Sequence, residues 1–330
     1  MTAIEVKNLR KVFNGGTVAV DGIDLDVREG EMFGLLGPNG AGKTTIIRVL
    51  ATMTRPTSGQ AMVCGIDVTR DPDAVRRAIG IVFQDPALDD QLTGRENLDF
   101  HARMYGMPRG EREEQIREVL TLVGLTDRAA ELVEKYSGGM KRRLEIARGL
   151  MHRPRVLFLD EPTLGLDAQT RRVIWDHIRS LNKTYHITII LTTHYMDEAD
   201  FLCDRVAIID HGRILTLDTP SYLKESLGGE VITLRVKDTT AMMSLVESMS
   251  GASNVKAYDG SVSVALANAG SRIPELLKRA EAAGIEVESV DLHKPTLEDV
   301  FIHFTGKTIR EQESSTGDRM RMRMRARMRR

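Results

Sequence analysis

One octapeptide constrains this chain more than any other feature: Gly37-Pro38-Asn39-Gly40-Ala41-Gly42-Lys43-Thr44. It fits the spacing G-x-x-x-x-G-K-[ST], and its surroundings decide what that spacing means. The apolar run Met32 to Leu36 precedes it and reads as a buried strand. After it, Lys43 to about Met53 sets Ile46, Ile47, Val49, Leu50 and Met53 at helical spacing. A strand that turns through glycines into a helix lets backbone N–H groups wrap an anion, with the positive end of the helix behind them. In such a loop Lys43 is expected to reach the β- and γ-phosphates of a nucleotide, and the Thr44 hydroxyl to ligate Mg²⁺, with Thr45 beside it.

The rest of the chain supplies a frame for that loop. Ile4 to Val12 and Val18 to Val27 alternate as strands do, and Gly30 marks a turn before Met32. Val156 to Leu159 and Thr188 to Leu191 are short β-rich runs on either side of a helical stretch around Arg171 to Leu181. That alternation predicts an α/β core with a parallel sheet. Residues 93 to 135 read as a helical insertion, with Glu113 and Arg117 at pairing distance and Ile116, Val119, Leu120 and Val123 apolar.

After Gly228 and Gly229 the texture changes. Val231 to Val236, Thr240 to Met249, Asn254 to Ala257, Ser261 to Leu266, Ile273 to Ala283 and Glu286 to Leu292 read in turn as strand, helix, strand, strand, helix and strand. That is the order of a ferredoxin-like α+β domain. The expected organisation is a nucleotide-binding domain at 1–228, with a helical subdomain at about 85–150. A C-terminal accessory domain follows at 229–306, then a disordered Arg/Met-rich tail at 307–330.

Composition narrows the setting. Apolar residues make up 42% and charged residues 28%, as in ordinary globular domains. No apolar run approaches the roughly 18 residues of a spanning helix. Residues 1–13 lack the apolar stretch of a signal peptide, so the chain is expected on the cytoplasmic side. Cys64 and Cys203 are isolated and read as reduced thiols. The net charge of −1 hides an asymmetry, since Arg319 to Arg330 holds seven Arg and no acid. The remainder carries 39 basic against 47 acidic residues, or −8. Such a tail is expected to be solvated, or drawn to anionic lipid by about 1 kcal/mol per basic residue near the surface.

A second chemical element is Val156-Leu157-Phe158-Leu159-Asp160-Glu161, an apolar strand ending in adjacent carboxylates. Adjacent positions permit two roles. Asp160 can hold Mg²⁺, while Glu161 can polarise an attacking water, a contribution of roughly 10² to 10⁴ in rate.

Between these elements stands Tyr136-Ser137-Gly138-Gly139-Met140, followed by Lys141-Arg142-Arg143-Leu144. It resembles the signature sequence of ABC (ATP-binding cassette) ATPases, and the resemblance runs over about residues 4 to 225. Ser137 and the N–H groups of Gly138 and Gly139 at a helix start would form a second anion site. The resemblance implies a P-loop NTPase fold with a mixed sheet core, and ATP with Mg²⁺ as ligands. It further implies a head-to-tail homodimer in which Ser137 of one copy faces the γ-phosphate held by Lys43 of the other. Gln84 resembles the Q-loop residue that touches Mg²⁺ and the membrane subunit, Asp167 the D-loop residue, and His194 the switch histidine at the γ-phosphate. Phe13 occupies the place of the aromatic that stacks on adenine, where Tyr is commoner.

Tyr136 in place of Leu and Met140 in place of Gln resemble the daunorubicin/doxorubicin resistance branch, as does Thr296-Leu297-Glu298-Asp299-Val300-Phe301. The implied function is ATP hydrolysis at the cytoplasmic face of a membrane. It would power separately encoded permease subunits that export drugs or other hydrophobic compounds. The competing expectation is a soluble ABC ATPase acting on nucleic acid or ribosomes. A single phosphate loop and the lack of long coiled coils weigh against it, so no nucleic-acid partner is expected.

Overall fold

Met32–Leu36 is buried at every position, which requires cover on both faces, and a parallel sheet flanked by helices provides it. The computed structural model describes residues 1–308, so the expectations for the arginine-rich end lie outside the described residues. The strand sits third in a six-stranded sheet ordered Arg213–Asp218, Arg205–Asp210, Met32–Leu36, Thr188–Thr193, Val156–Asp160, Ile79–Val82. From Arg205–Asp210 onward the neighbours run parallel. A second, antiparallel sheet is ordered Val18–Arg28, Thr2–Val12, Ser58–Val63, Ile66–Asp67. The two sheets and their helices make the α/β, P-loop core with a mixed sheet that the sequence implied.

The helix behind the glycine loop spans Lys43–Leu50, shorter than expected, because Thr52 adopts a left-handed backbone with φ 62° and breaks the repeat. The helical insertion is built of separate pieces, Gly94–Met104 and Arg109–Leu122, then two short 3₁₀ turns. Gly106, at φ 70°, and Pro108 interrupt the first helix, since one takes a left-handed turn and the other donates no hydrogen bond. Glu113 consequently pairs across the turn with Arg95, not along its own helix with Arg117.

The chain divides into two compact units, Met1–Thr216 and from Leu217 on. In the second, Glu230–Val236, Thr239–Glu247, Ser253–Tyr258, Ser261–Leu266, Ala269–Ala282 and Val287–His293 follow one another as β-α-β-β-α-β. The first strand pairs antiparallel with both the third and the fourth, giving the ferredoxin-like sheet order. Ile232, Leu234, Val262, Val264, Met242, Val246 and Leu276 form its own buried core. The segment Thr296 to Phe301 has a plain structural meaning here. Thr296 caps the helix Leu297–Thr305, Asp299 returns the bond to the Thr296 backbone N–H, and Leu297, Val300 and Phe301 are buried.

Candidate functional site

The glycine loop is shaped by how closely backbone approaches backbone. A Cβ at Gly37 would stand 2.1 Å from the Ile209 carbonyl oxygen, and Gly42, at φ 109°, would put one 2.4 Å from that of Ala19. Only glycine fits either place. Pro38 to Thr45 line a cavity of about 130 Å³, together with Ala19, Gln84 and Glu161. Lys43 curls over the loop, its Nζ donating to the carbonyls of Gly37 (2.6 Å) and Pro38 (3.1 Å) and pairing with Glu161 Oε1 at 3.2 Å. The Thr44 hydroxyl donates to Asp160 Oδ1 at 3.0 Å, and Thr192 Oγ1 donates to the same oxygen at 2.6 Å.

Glu161 is the most constrained residue of the group. It is 6% exposed, and its backbone is left-handed at φ 49°, a conformation that persists in a non-glycine residue only where surroundings over-determine it. Its N–H donates to Thr192, to the carbonyl at 3.2 Å and to Oγ1 at 3.0 Å. Its carboxylate lies between Lys43 and His194, whose Nδ1 is 2.7 Å from Oε2. Burial pushes this carboxyl's pKa up. The His194 hydrogen bond and the Lys43 charge outweigh it, so the net shift is downward and the group is a carboxylate at neutral pH.

A second cluster lies apart from the first. Ser137 caps the helix Gly138–Leu150, its Oγ accepting from the Met140 N–H at 3.3 Å, and Ser137 and Gly138 are exposed. Asp167 caps Ala168–Tyr185 by accepting from the Thr170 N–H (3.0 Å) and hydroxyl (2.6 Å). The two helix starts adjoin, for a Cβ on Gly139 would lie 2.5 Å from Thr170 Cγ2. Within one chain, then, Lys43, Thr44, Thr45, Gln84, Asp160, Glu161 and His194 come together. Ser137, Gly138, Gly139 and Asp167 do not line that cavity. Phe13 does not line it either; the residue is 40% exposed, with Lys11 Nζ 5.1 Å from the ring centroid.

Two residues that hold the site escape a reading of motifs. Thr192 looks like an ordinary β-branched strand residue, yet it bonds both Asp160 and the Glu161 backbone. Arg142 looks like one of several surface cations in Lys141-Arg142-Arg143, yet it is buried and bonded to the carbonyls of Asp160, Glu161 and Pro162. Neither carries a sequence signal beyond its neighbourhood.

Comparison with known proteins agrees with this geometry. The family described as "ABC transporter" matches residues 20–164, and "ATP-binding protein DrrA1-3-like, C-terminal domain" matches 219–305. The daunorubicin/doxorubicin resistance ATP-binding protein DrrA of Streptomyces peucetius is 44% identical over 310 residues, covering 92% of this chain and 92% of its own. The linearmycin resistance ATP-binding protein LnrL of Bacillus subtilis is 38% identical over 312 residues, covering 93% and 100%. Among solved structures, cbiO1 from Clostridium perfringens, part of the ABC transporter complex cbiONQ, superposes with a TM-score of 0.64 at 30% identity, over 68% of this chain and 93% of its own. Dimeric MJ0796, a bacterial ABC transporter cassette, gives a TM-score of 0.60 at 29% identity, over 66% and 98%. A glycine loop, paired strand-end carboxylates and a serine-capped helix on this fold, in a chain so similar to these relatives along its length, have one reading: the chain belongs to the ABC transporter ATP-binding proteins, which are ATPases, and within them to the daunorubicin/doxorubicin resistance branch.

Proposed function

We propose that two copies of this chain close head to tail over ATP at the cytoplasmic face of a membrane and drive separately encoded permease subunits that export drugs or similar hydrophobic compounds. The relatives named for resistance to daunorubicin, doxorubicin and linearmycin support the cargo class. Among the described residues no helix is long and apolar enough to cross a membrane, which fits a path supplied by other subunits. The separation of the two anion-recognising clusters supports the dimer. A phosphate seated on the Lys43 loop would find Ser137, Gly138, Gly139 and Asp167 on a second copy, in a two-fold arrangement. Phe13, partly exposed, would supply the aromatic ring on which adenine stacks.

The Thr44 hydroxyl and the Asp160 carboxylate, 3.0 Å apart, are hard oxygen donors of the kind Mg²⁺ takes. No group of three or more His, Cys, Asp or Glu among the described residues could hold a metal by itself. That suits a cation that keeps most of its ligands from phosphate and water, with Gln84 at the cavity edge as a further donor. Such a cation would neutralise charge on the transferring phosphoryl group. Lys43 adds to that stabilisation, His194 holds the Glu161 carboxylate in place, and Glu161 takes the proton of the attacking water.

The observation that carries this reading is the Glu161 carboxylate, ionised and wedged between Lys43 and His194 at the loop cavity. Glu161→Gln should lower ATP turnover by roughly 10² to 10⁴. ATP binding should survive, and an ATP-dependent dimer should accumulate in light scattering after size exclusion. Turnover equal to wild type would remove Glu161 from the chemistry.

A further inference from the structure

We infer that Arg142 is a positioning residue for hydrolysis, one that fixes the Glu161 backbone and the Gln84 loop to the serine-capped helix so that the three move as one body. The inference rests on the reading of Glu161 as the group that polarises water.

The guanidinium of Arg142 is buried, and each of its five N–H donors has a partner. Nε donates to the Pro162 carbonyl at 2.7 Å, while Nη2 donates to those of Asp160 (2.9 Å) and Glu161 (3.1 Å). Nη1 donates to the Phe83 carbonyl at 2.5 Å and to Glu145 Oε2 at 3.0 Å. Three consecutive carbonyls at the strained end of the catalytic strand are therefore held by one rigid plane. A left-handed glutamate persists only where its neighbours leave it no alternative, and Arg142 supplies much of that constraint.

The same helix grips the Gln84 loop at both ends. Arg142 takes the Phe83 carbonyl on one side, and Glu145 Oε1 accepts the Ala87 N–H at 2.7 Å on the other. Arg148 adds a bond to the Ala87 carbonyl at 2.9 Å. Glu145 also neutralises the buried guanidinium, so the pair spans the helix, the loop and the strand end without leaving a stray charge. Lysine cannot substitute, because three donors on a point charge do not reproduce a planar fork with five.

Two variants test this. Arg142→Lys keeps a cation opposite Glu145 and loses the fork, and Arg142→Gln with Glu145→Gln removes both charges together. Both should keep ATP KM within about twofold of wild type while kcat falls by roughly 10- to 100-fold, the signature of a displaced catalytic group. Wild-type kcat in either variant would overturn the inference, and so would a deficit that vanishes when the assay is run well below the variant's Tm. Equal turnover by wild type and Glu161→Gln would instead remove the reading of Glu161 and leave the role of Arg142 without its object, a distinguishable result.

Discussion

At Glu161 two unfavourable circumstances coincide: burial of a carboxylate and a left-handed backbone. Each is offset by a named neighbour. Thr192 takes the N–H, Arg142 the carbonyl, and Lys43 and His194 the side chain. Because the folded carboxyl titrates below its ordinary value, its contribution to stability is complete above the unfolded pKa, about 4.3, and is lost as pH falls through the folded one. His194→Ala removes a hydrogen bond that favours the ionised form, while burial still opposes it. The acid limb of the kcat/KM–pH profile, which reports the nucleotide-free protein, should therefore move to higher pH in that variant, as steady-state ATPase assays across the acid range would show. An unmoved limb would mean that Lys43 alone sets the charge of Glu161.

Between elements, one close approach behind the site is the crossing of Ile79–Val82 by the helix Gly138–Leu150. A Cβ on Gly80 would lie 2.2 Å from the carbonyl oxygen of Gly149 and 3.0 Å from Leu157 Cδ1. Backbone cannot yield as a side chain does, so Gly80→Ala must push the helix away from the sheet. We expect a loss of about 1–3 kcal/mol, read from denaturant unfolding. The displaced helix also carries Ser137 and Arg142, so turnover should fall with stability. The Arg95–Glu113 pair is another contact between helices, but both partners are well exposed, and its contribution is at most about 1 kcal/mol.

For the molecule as a whole, the second unit has a closed core of its own and satisfies its strand pairing internally. Residues 219–308 made alone should therefore unfold in a single cooperative transition by circular dichroism. Leu234→Ala in that fragment should cost about 2–5 kcal/mol, as for a large side chain removed from a packed core. A fragment without a cooperative transition would show that this unit needs the first to fold. Since Arg213–Asp218 belongs to the six-stranded sheet, the cut at 219 leaves the first unit's sheet intact.

What the chain determined locally was legible in one dimension. The strand, glycine turn and helix around Lys43, the capped helix at Ser137, and the β-α-β-β-α-β order after Gly229 all follow from neighbouring residues, because periodicity, caps and turns act over a few positions. Several pieces of regular structure carried too little local signal to be read. Ser58–Val63, Ile79–Val82 and Arg205–Asp210 are short, and what holds them is pairing with distant strands. Contacts between distant segments were decided only in three dimensions. Glu113 chose Arg95 over Arg117, Thr192 became a ligand of the Asp160–Glu161 corner, and Arg142 left the surface its neighbours suggest for a ring of carbonyls. The physical reason is common to them. A buried polar group takes whichever partner the fold places within about 3 Å, and sequence spacing does not encode that distance.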